Sequence, residues 1–359
     1  MARFKFADMF AGIGGFRKAF EELGGKCVLT VETDKYCKIT QDANYEHSED
    51  HVWHDDINTL RASDFQDKGI DLVCAGFPCQ PFSISGARKG TDDSRGTLFW
   101  SLAEAVKVIK PRVVLMENVL GLLSINKGST YRDMLLLLEK YGYYSFGRIL
   151  CSSGYVPQRR KRVFIVCFRK DPIFSPFIQI YTDNKRPILA DILESEVDEK
   201  YYLSEKSIKS VYAHKKRHAE RGNGFGANIK TEHEQSGSLP TSFRCAGSDL
   251  LLRETSKAVM IATVNSSRQG QRIYSHQGQG VSLVSKQPRQ NLIFDGSPER
   301  IRRLTPRECS RMMGFDSFQG SDWIIKVNNT QAYKQFGNSV VVPLIKAIGQ
   351  TLLPYLTND

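Results

Sequence analysis

The chain has 359 residues, 41% hydrophobic and 25% charged, the balance of a globular protein rather than a disordered one. No run of about 18 apolar residues is evident, so no membrane-spanning helix is expected. The formal net charge is +11; residues 71–170 carry +9 of it, while residues 1–70 are net −4. Such a field suits a polyanionic partner bound more weakly as salt rises, or a solvated basic surface.

In chain order, residues 4–10 read as a strand, followed by a glycine turn and a helix over about 16–23. Residues 27–31 read as a second strand, with a helix through about 44. Short apolar runs at 71–75 and 113–116 read as buried strands, 98–109 and 131–141 have helical spacing, and 163–168 reads as the last strand. The alternation predicts a doubly wound α/β fold, mostly parallel, with helices on both faces. Residues 204–300 are rich in Gly, Ser, Gln, Asn, Arg and His, with short strand-like pieces such as 281–284, as in a smaller, irregular, β-rich domain with long loops. Helical signals return at 306–313 and over 340–356. The expected division is residues 1–175 plus 310–359 as one domain and 176–309 as the second. Eight scattered cysteines, no C-x-x-C pair and no apolar leader suggest a reducing, cytoplasmic setting without a disulfide framework or structural zinc.

Two loops carry the chemistry. Asp8-Met9-Phe10-Ala11-Gly12-Ile13-Gly14-Gly15-Phe16 joins the first strand to its helix, and Arg17 stands where a dinucleotide fingerprint needs a third glycine. A NAD site is therefore disfavoured. With Glu32 about 20 residues on, where a carboxylate holds ribose hydroxyls, the loop suits a nucleoside cofactor without a pyrophosphate, or is an ordinary turn. Gly76-Phe77-Pro78-Cys79-Gln80-Pro81-Phe82-Ser83 follows the strand at 71–75. A lone cysteine is more often structural, but one held between prolines at the carboxyl end of a buried strand faces the ligand crevice of such sheets, where its thiolate is a nucleophile. Arg88, Lys89 and Arg95 downstream strengthen the functional reading.

These blocks, together with Asp56-Ile57, Asp93-Ser94-Arg95-Gly96-Thr97-Leu98-Phe99, Glu117-Asn118-Val119, Gln158-Arg159-Arg160-Lys161-Arg162, residues 307–315 and Gln335-Phe336-Gly337-Asn338-Ser339-Val340, follow one another in a familiar order. The chain resembles the bacterial DNA (cytosine-5)-methyltransferases of type II restriction–modification systems over nearly its whole length. The resemblance implies a Rossmann-like fold that binds S-adenosylmethionine (AdoMet) and releases S-adenosylhomocysteine, without a metal. Cys79 is then the nucleophile at C6 of cytosine, Glu117 meets the N3/N4 edge, Arg162 meets O2, and Arg160 holds nearby backbone. The cofactor pocket is expected from Phe10, Gly12, Ile13, Gly14, Gly15, Glu32, Thr33, Asp56, Ile57, Pro78, Leu98, Asn338, Ser339 and Val340. Thr33 stands where relatives often carry an aromatic that stacks on adenine.

Because the reactive atoms of a paired cytosine lie inside the stack, the base must be flipped out. Residues 80–100 are the expected mobile loop, with Ser83, Arg88, Lys89 and Arg95 toward DNA. The second domain is the expected target-recognition domain: Gln269 fills the gap left by the base, Arg272 pairs with guanine, and Tyr274 and Ser282 belong to the recognition loops. The implied partner is double-stranded DNA, for a monomeric, nucleoid-associated cytoplasmic enzyme with a companion endonuclease of the same specificity. Alternatives are a tRNA cytosine-5 methyltransferase of the same fold and a catalytically silent DNA-binding protein. His47, His51 and His54, with Glu46, Asp50 and Asp55, resemble a metal cluster but are read as a solvated loop, and His214 and His218 as surface.

Overall fold

The computed structural model describes residues 2–65, 67–78, 97–170, 186–222, 228–239, 250–253, 259–263, 272–275 and 300–357. The chain divides into two compact units, one of Met1–Glu194, Gln235–Phe243 and Thr305–Asp359, the other of Ser195–Glu234 and Arg244–Leu304. The boundaries thus fall at 194/195 and 304/305 rather than at 175/176 and 309/310. The first unit also takes back residues 235–243, because Ser236 bridges Gln158 and its carbonyl accepts from the Arg159 N–H at 2.9 Å.

The first unit is built on seven strands: β1 (Phe4–Met9), β2 (Gly25–Val31), β3 (Val52–His54), β4 (Leu72–Ala75), β5 (Val113–Asn118), β6 (Tyr143–Cys151) and β7 (Lys161–Arg169), in the order β3-β2-β1-β4-β5-β7-β6. β1 to β5 are parallel; β7 lies between β5 and β6 and is antiparallel to both. Strands β4 and β5 are buried at every position, which their unbroken apolar runs require of a sheet covered on both faces. The antiparallel insertion brings the start of β7 to the edge where the parallel strands end. Glu117 and Asn118, last in β5, pair with Phe164 and Val163.

Helices α1 (Gly15–Glu21), α2 (Lys35–Asn44), α3 (Thr97–Ile109) and α4 (Ser129–Lys140) follow strands of the sheet. One core face gathers Met9, Leu29, Val73, Leu102, Val106, Met116, Leu137 and Tyr143. On α1, Phe20 meets Phe4 edge-on at 6.1 Å between ring centres. The Cα of Gly349 sits so close to Phe20 and Leu23 that a Cβ would lie 2.6–2.8 Å from them; this residue belongs to the C-terminal helix, numbered below.

The second unit holds α5 (Glu205–Glu220), a three-stranded sheet of β8 (Asn228–Thr231), β9 (Leu250–Arg253) and β12 (Ile301–Arg303), and an antiparallel pair, β10 (Val259–Thr263) with β11 (Arg272–Ser275). Val211, Leu251 and Ile301 form its small core, flanked by Leu203, Ile208, Tyr212 and Ile229. The 16-residue α5 replaces the irregular chain expected there, and it sets Ile208, Val211 and Tyr212 in or against this small core.

The chain then returns to the first unit through α6 (Pro306–Met313), α7 (Asn329–Asn338) and α8 (Val342–Leu356). α6 opens on a capping box, with Thr305 accepting from the Glu308 N–H and Glu308 from that of Thr305. By length and composition the stretch 329–356 is apolar enough to cross a membrane, contrary to the sequence expectation. It is broken at Ser339–Val341, and Leu344, Ile345, Ile348 and Leu352 are buried within the fold, as in a core helix. That break shortens the helix expected over 340–356 and leaves Ser339–Val341 extended beside the glycine loop.

Candidate active site

A cleft of about 700 Å3 opens at the carboxyl edge of the sheet, at the point between β1 and β4 where the strand order reverses and open α/β sheets bind ligands. β1 delivers Phe10 and Gly12 to it, β2 Val31 and Glu32, β4 Gly76, Phe77 and Pro78, β5 Glu117 and Asn118, and the start of β7 Arg160 and Arg162.

On one side the glycine loop turns under tension. Phe10 has φ 58° and Gly14 φ 80°, the left-handed region that ordinary side chains avoid. The Glu32 carboxylate joins this loop to the turn after β2: Oε2 accepts from the Gly12 N–H and Oε1 from the Asp34 N–H, both at 2.8 Å. Asp56 lies on the same cleft, its Oδ1 capping the turn that carries the buried Ile57. At Gly15 a Cβ would meet Val340 at 2.7 Å and Ser339 at 2.8 Å, so only glycine admits the C-terminal segment there.

On the other side Glu117, 9% exposed, has its Oε1 3.1 Å from Arg162 Nε, an ion pair without hydrogen-bond alignment. Burial raises the Glu117 carboxyl above the usual range, opposed by the charges of Arg160 and Arg162. Burial, with Arg162 nearby, pulls the Arg160 guanidinium down to about 10. Arg160 donates to the carbonyls of Gly337 at 3.2 Å and Ser339 at 2.9 Å. Asn118 Nδ2 donates to the Phe77 carbonyl at 3.0 Å, tying β5 to the chain two residues before Cys79.

Of the residues named from sequence, Phe10, Gly12, Glu32, Thr33, Asp56, Ile57, Pro78, Leu98, Glu117, Arg160, Arg162 and Asn338 line the cleft. Ile13, Gly14, Gly15, Ser339 and Val340 do not: Ile13 is fully buried, and the others pack against one another or against Tyr45 behind the loop. Cys79, Ser83, Arg88, Lys89, Arg95, Gln269 and Ser282 lie outside the described residues, as does the strand-like 281–284; Arg272 and Tyr274 lie in β11.

Sequence reasoning assigned no role to Asp34, Cys37, Leu239, Lys334, Gln335 or Gly337, which also line the cleft. Lys334 pairs with Asp34 at 2.8 Å, and Gln335 donates to the Tyr36 carbonyl at 2.9 Å and accepts from Thr40 at 3.0 Å. The block 335–340 carried a signal for the latter; nothing local marks Leu239. Among the described residues no group of three or more His, Cys, Asp or Glu is placed for a metal. His47 and His51 instead face each other at 3.2 Å, with Asp42 on one and Thr30 on the other.

The family model of C-5 cytosine-specific DNA methylases matches residues 4–353. The chain is 36% identical to the type II methyltransferase M.HpaII of Haemophilus parainfluenzae, over 99% of this chain and 91% of that protein. It is 32% identical to M.HhaI of Haemophilus parahaemolyticus, over 97% and 94%. Among solved structures, the Dnmt2 methyltransferase of S. pombe shares the fold, with a TM-score of 0.66 at 18% identity over 98% of this chain and 99% of that one. The chain belongs to the C-5 cytosine-specific DNA methylase family and is an AdoMet-dependent DNA cytosine methyltransferase.

Proposed function

We propose that the enzyme methylates C5 of one cytosine in a specific duplex sequence, flipping the base into the cleft and forming a transient Cys79–C6 bond, and that it protects host DNA in a restriction–modification system. The observation that carries this reading is the pairing of a buried carboxyl, Glu117, with Arg162 in the cleft, on a strand tied by Asn118 to the chain just before Cys79.

The donor set fits AdoMet. A carboxylate fixed by two backbone N–H groups suits ribose hydroxyls, the apolar Phe10, Ile57 and Leu98 suit an adenine face, and Asp56 suits its amino group. The cleft volume is that of a small-ligand site. Bound AdoMet supplies an electrophilic methyl group. The chain's own residues prepare the acceptor. The Cys79 thiolate bonds to C6 as the ring's C5–C6 electron pair moves toward C5. Glu117, its carboxyl kept protonated more readily by burial, gives a proton to N3. Arg162 offsets charge developing on O2. After methylation a base removes the C5 proton, the C5–C6 double bond re-forms, the thiolate departs, and N3 returns its proton to Glu117. Arg160 holds Gly337 and Ser339 so that Asn338 stays at the cofactor side. The second unit, Ser195–Glu234 and Arg244–Leu304, serves as the target-recognition domain, with Gln269, Arg272, Tyr274 and Ser282 toward bases, and Ser83, Arg88, Lys89 and Arg95 face the DNA backbone.

Incubation with methyl-labelled AdoMet and either unmethylated duplex DNA or tRNA tests this in wild type and Cys79→Ser. Label in duplex DNA, lost in the variant, is expected. Label in tRNA alone, or none in either, refutes it. Sequencing the labelled DNA identifies the target.

A further inference from the structure

The Gly12 and Gly14 carbonyls of the glycine loop are gripped by side chains from a single turn of α2, the latter carbonyl alongside the Lys18 N–H at 2.9 Å. Gln41 Nε2 donates to the Gly12 carbonyl at 2.8 Å, and the Tyr45 hydroxyl donates to the Gly14 carbonyl at 2.6 Å. The two residues are four apart, on the last turn of the helix and its C-cap, and the Tyr45 N–H donates to the Gln41 carbonyl at 2.9 Å. They therefore leave the same helical face. Neither lines the cleft, so they touch the loop without competing for the cofactor's space.

Their own settings are rigid. Gln41 is fully buried. The Arg17 guanidinium lies 4.3 Å from the centre of the Tyr45 ring, and is itself held by Glu21 at 2.7 Å and by the Glu46 carbonyl at 2.8 Å. The side chain that breaks the dinucleotide fingerprint thus buttresses the tyrosine instead. Burial lifts the Tyr45 phenol well above its ordinary range, so it remains a donor. The tyrosine ring also occupies the space above Gly14, where a Cβ would meet it at 2.8 Å.

The geometry points to Gln41 and Tyr45 as positioning residues that set the Gly12 and Gly14 peptide planes and so shape the AdoMet-binding loop. Because peptide units are planar, fixing these carbonyls fixes the N–H groups of Ile13 and Gly15 opposite them. On the near side of the same residue, the Gly12 N–H meets Glu32. Gln41 thus acts on the same residue whose N–H anchors the carboxylate proposed to bind ribose. This inference rests on the proposed placement of AdoMet at the loop.

The test is equilibrium binding of AdoMet by calorimetry without DNA, beside steady-state kinetics and melting temperature, for Tyr45→Phe and Gln41→Met. Each variant is expected to raise Kd and KM for AdoMet about three- to tenfold, the loss of one oriented hydrogen bond. The values of kcat and of KM for DNA should stay unchanged, with a smaller AdoMet-induced rise in melting temperature. Wild-type affinity in both folded variants overturns the inference. So does a melting point lowered without ligand while AdoMet KM stays put, since that marks a purely structural role. Glu32→Gln separates the two levels. If it weakens AdoMet binding while Tyr45→Phe and Gln41→Met do not, only the present inference fails; if it leaves binding unchanged, the placement of AdoMet fails and the inference with it.

Discussion

Replacing Arg160 with methionine tests whether the C-terminal return is held electrostatically. The side chain is 5% exposed and makes two charge-assisted hydrogen bonds, to the Gly337 and Ser339 carbonyls. Such bonds contribute about 1.5–3 kcal/mol each. Losing both, and the charge beside buried Glu117, costs about 3–5 kcal/mol, the range found when one member of a buried charge pair is removed. In urea the midpoint should fall by about 1–2 M at unchanged slope. Arg160→Lys keeps the charge but not the planar fork, and should recover part of the loss. Arg162→Met is the contrast. Its side chain, 16% exposed, pairs with Glu117 at 3.1 Å and donates to the neighbouring Lys161 carbonyl at 2.9 Å. Because the substitution removes the ion-pair partner of buried Glu117, it should also lower stability, but it is set apart from Arg160→Met by a fall in kcat of about 100- to 1,000-fold. A loss under about 1 kcal/mol for Arg160→Met would refute the reasoning, since two unmade buried bonds cannot cost so little.

Glu117→Gln should lower kcat about 100-fold or more. Because burial raises the Glu117 carboxyl, its stabilising contribution is present below the unfolded carboxylate value and is lost as pH rises through the folded one. Against wild type the variant should gain relative stability across that rise, read from urea midpoints at several pH values; a constant difference would contradict the assignment. His51 behaves oppositely: burial and the charge of Arg17 lower its imidazolium to about 3, so stability should fall as pH drops from about 6.5 toward that value. His51→Gln should flatten this limb, and an unchanged acid limb would count against it. Gly15→Ala puts a Cβ within 2.7–2.8 Å of Val340 and Ser339; it should cost about 1–3 kcal/mol and weaken AdoMet binding by calorimetry, and an unperturbed melting curve would show that the segment yields.

The parallel half of the fold was legible because buried strands must be apolar throughout, and the runs at 71–75 and 113–116 appear as β4 and β5 almost unshifted. Strand β6 was not: its pattern, with Tyr144, Phe146 and Ile149 exposed, lacks the clean alternation of a half-buried edge. Its pairing with β7, and the antiparallel insertion of β7 beside β5, follow from sheet partners distant in sequence. In the site, Glu32 was readable as a carboxylate ending a strand, whereas Asp56 and Glu117 were reached only through the family resemblance. The buttress of Gln41, Tyr45 and Arg17 was not readable, because its bonds reach backbone carbonyls, and those depend on geometry rather than residue type. Arg17 shows the difference most clearly. Its identity argued only against a dinucleotide site, whereas its position places it under the loop as a buried cation stacked on Tyr45.

The extended break between α7 and α8 explains how one short segment can register both halves of the cleft. Ser339 and Val340 approach Gly15 so closely that no side chain fits between them, while the Ser339 carbonyl accepts from Arg160. The same short segment therefore touches the loop that ends β1 and the side chain that precedes β7. A continuous helix here would satisfy its carbonyls internally and leave Arg160 without these acceptors. Breaking the helix at 339–341 forgoes backbone bonds, and the guanidinium replaces them with two charge-assisted ones. On the proposed placement of cofactor and base, the distance between them is thus set by a few buried contacts on one sheet, the condition under which two reactants can be held in line for transfer.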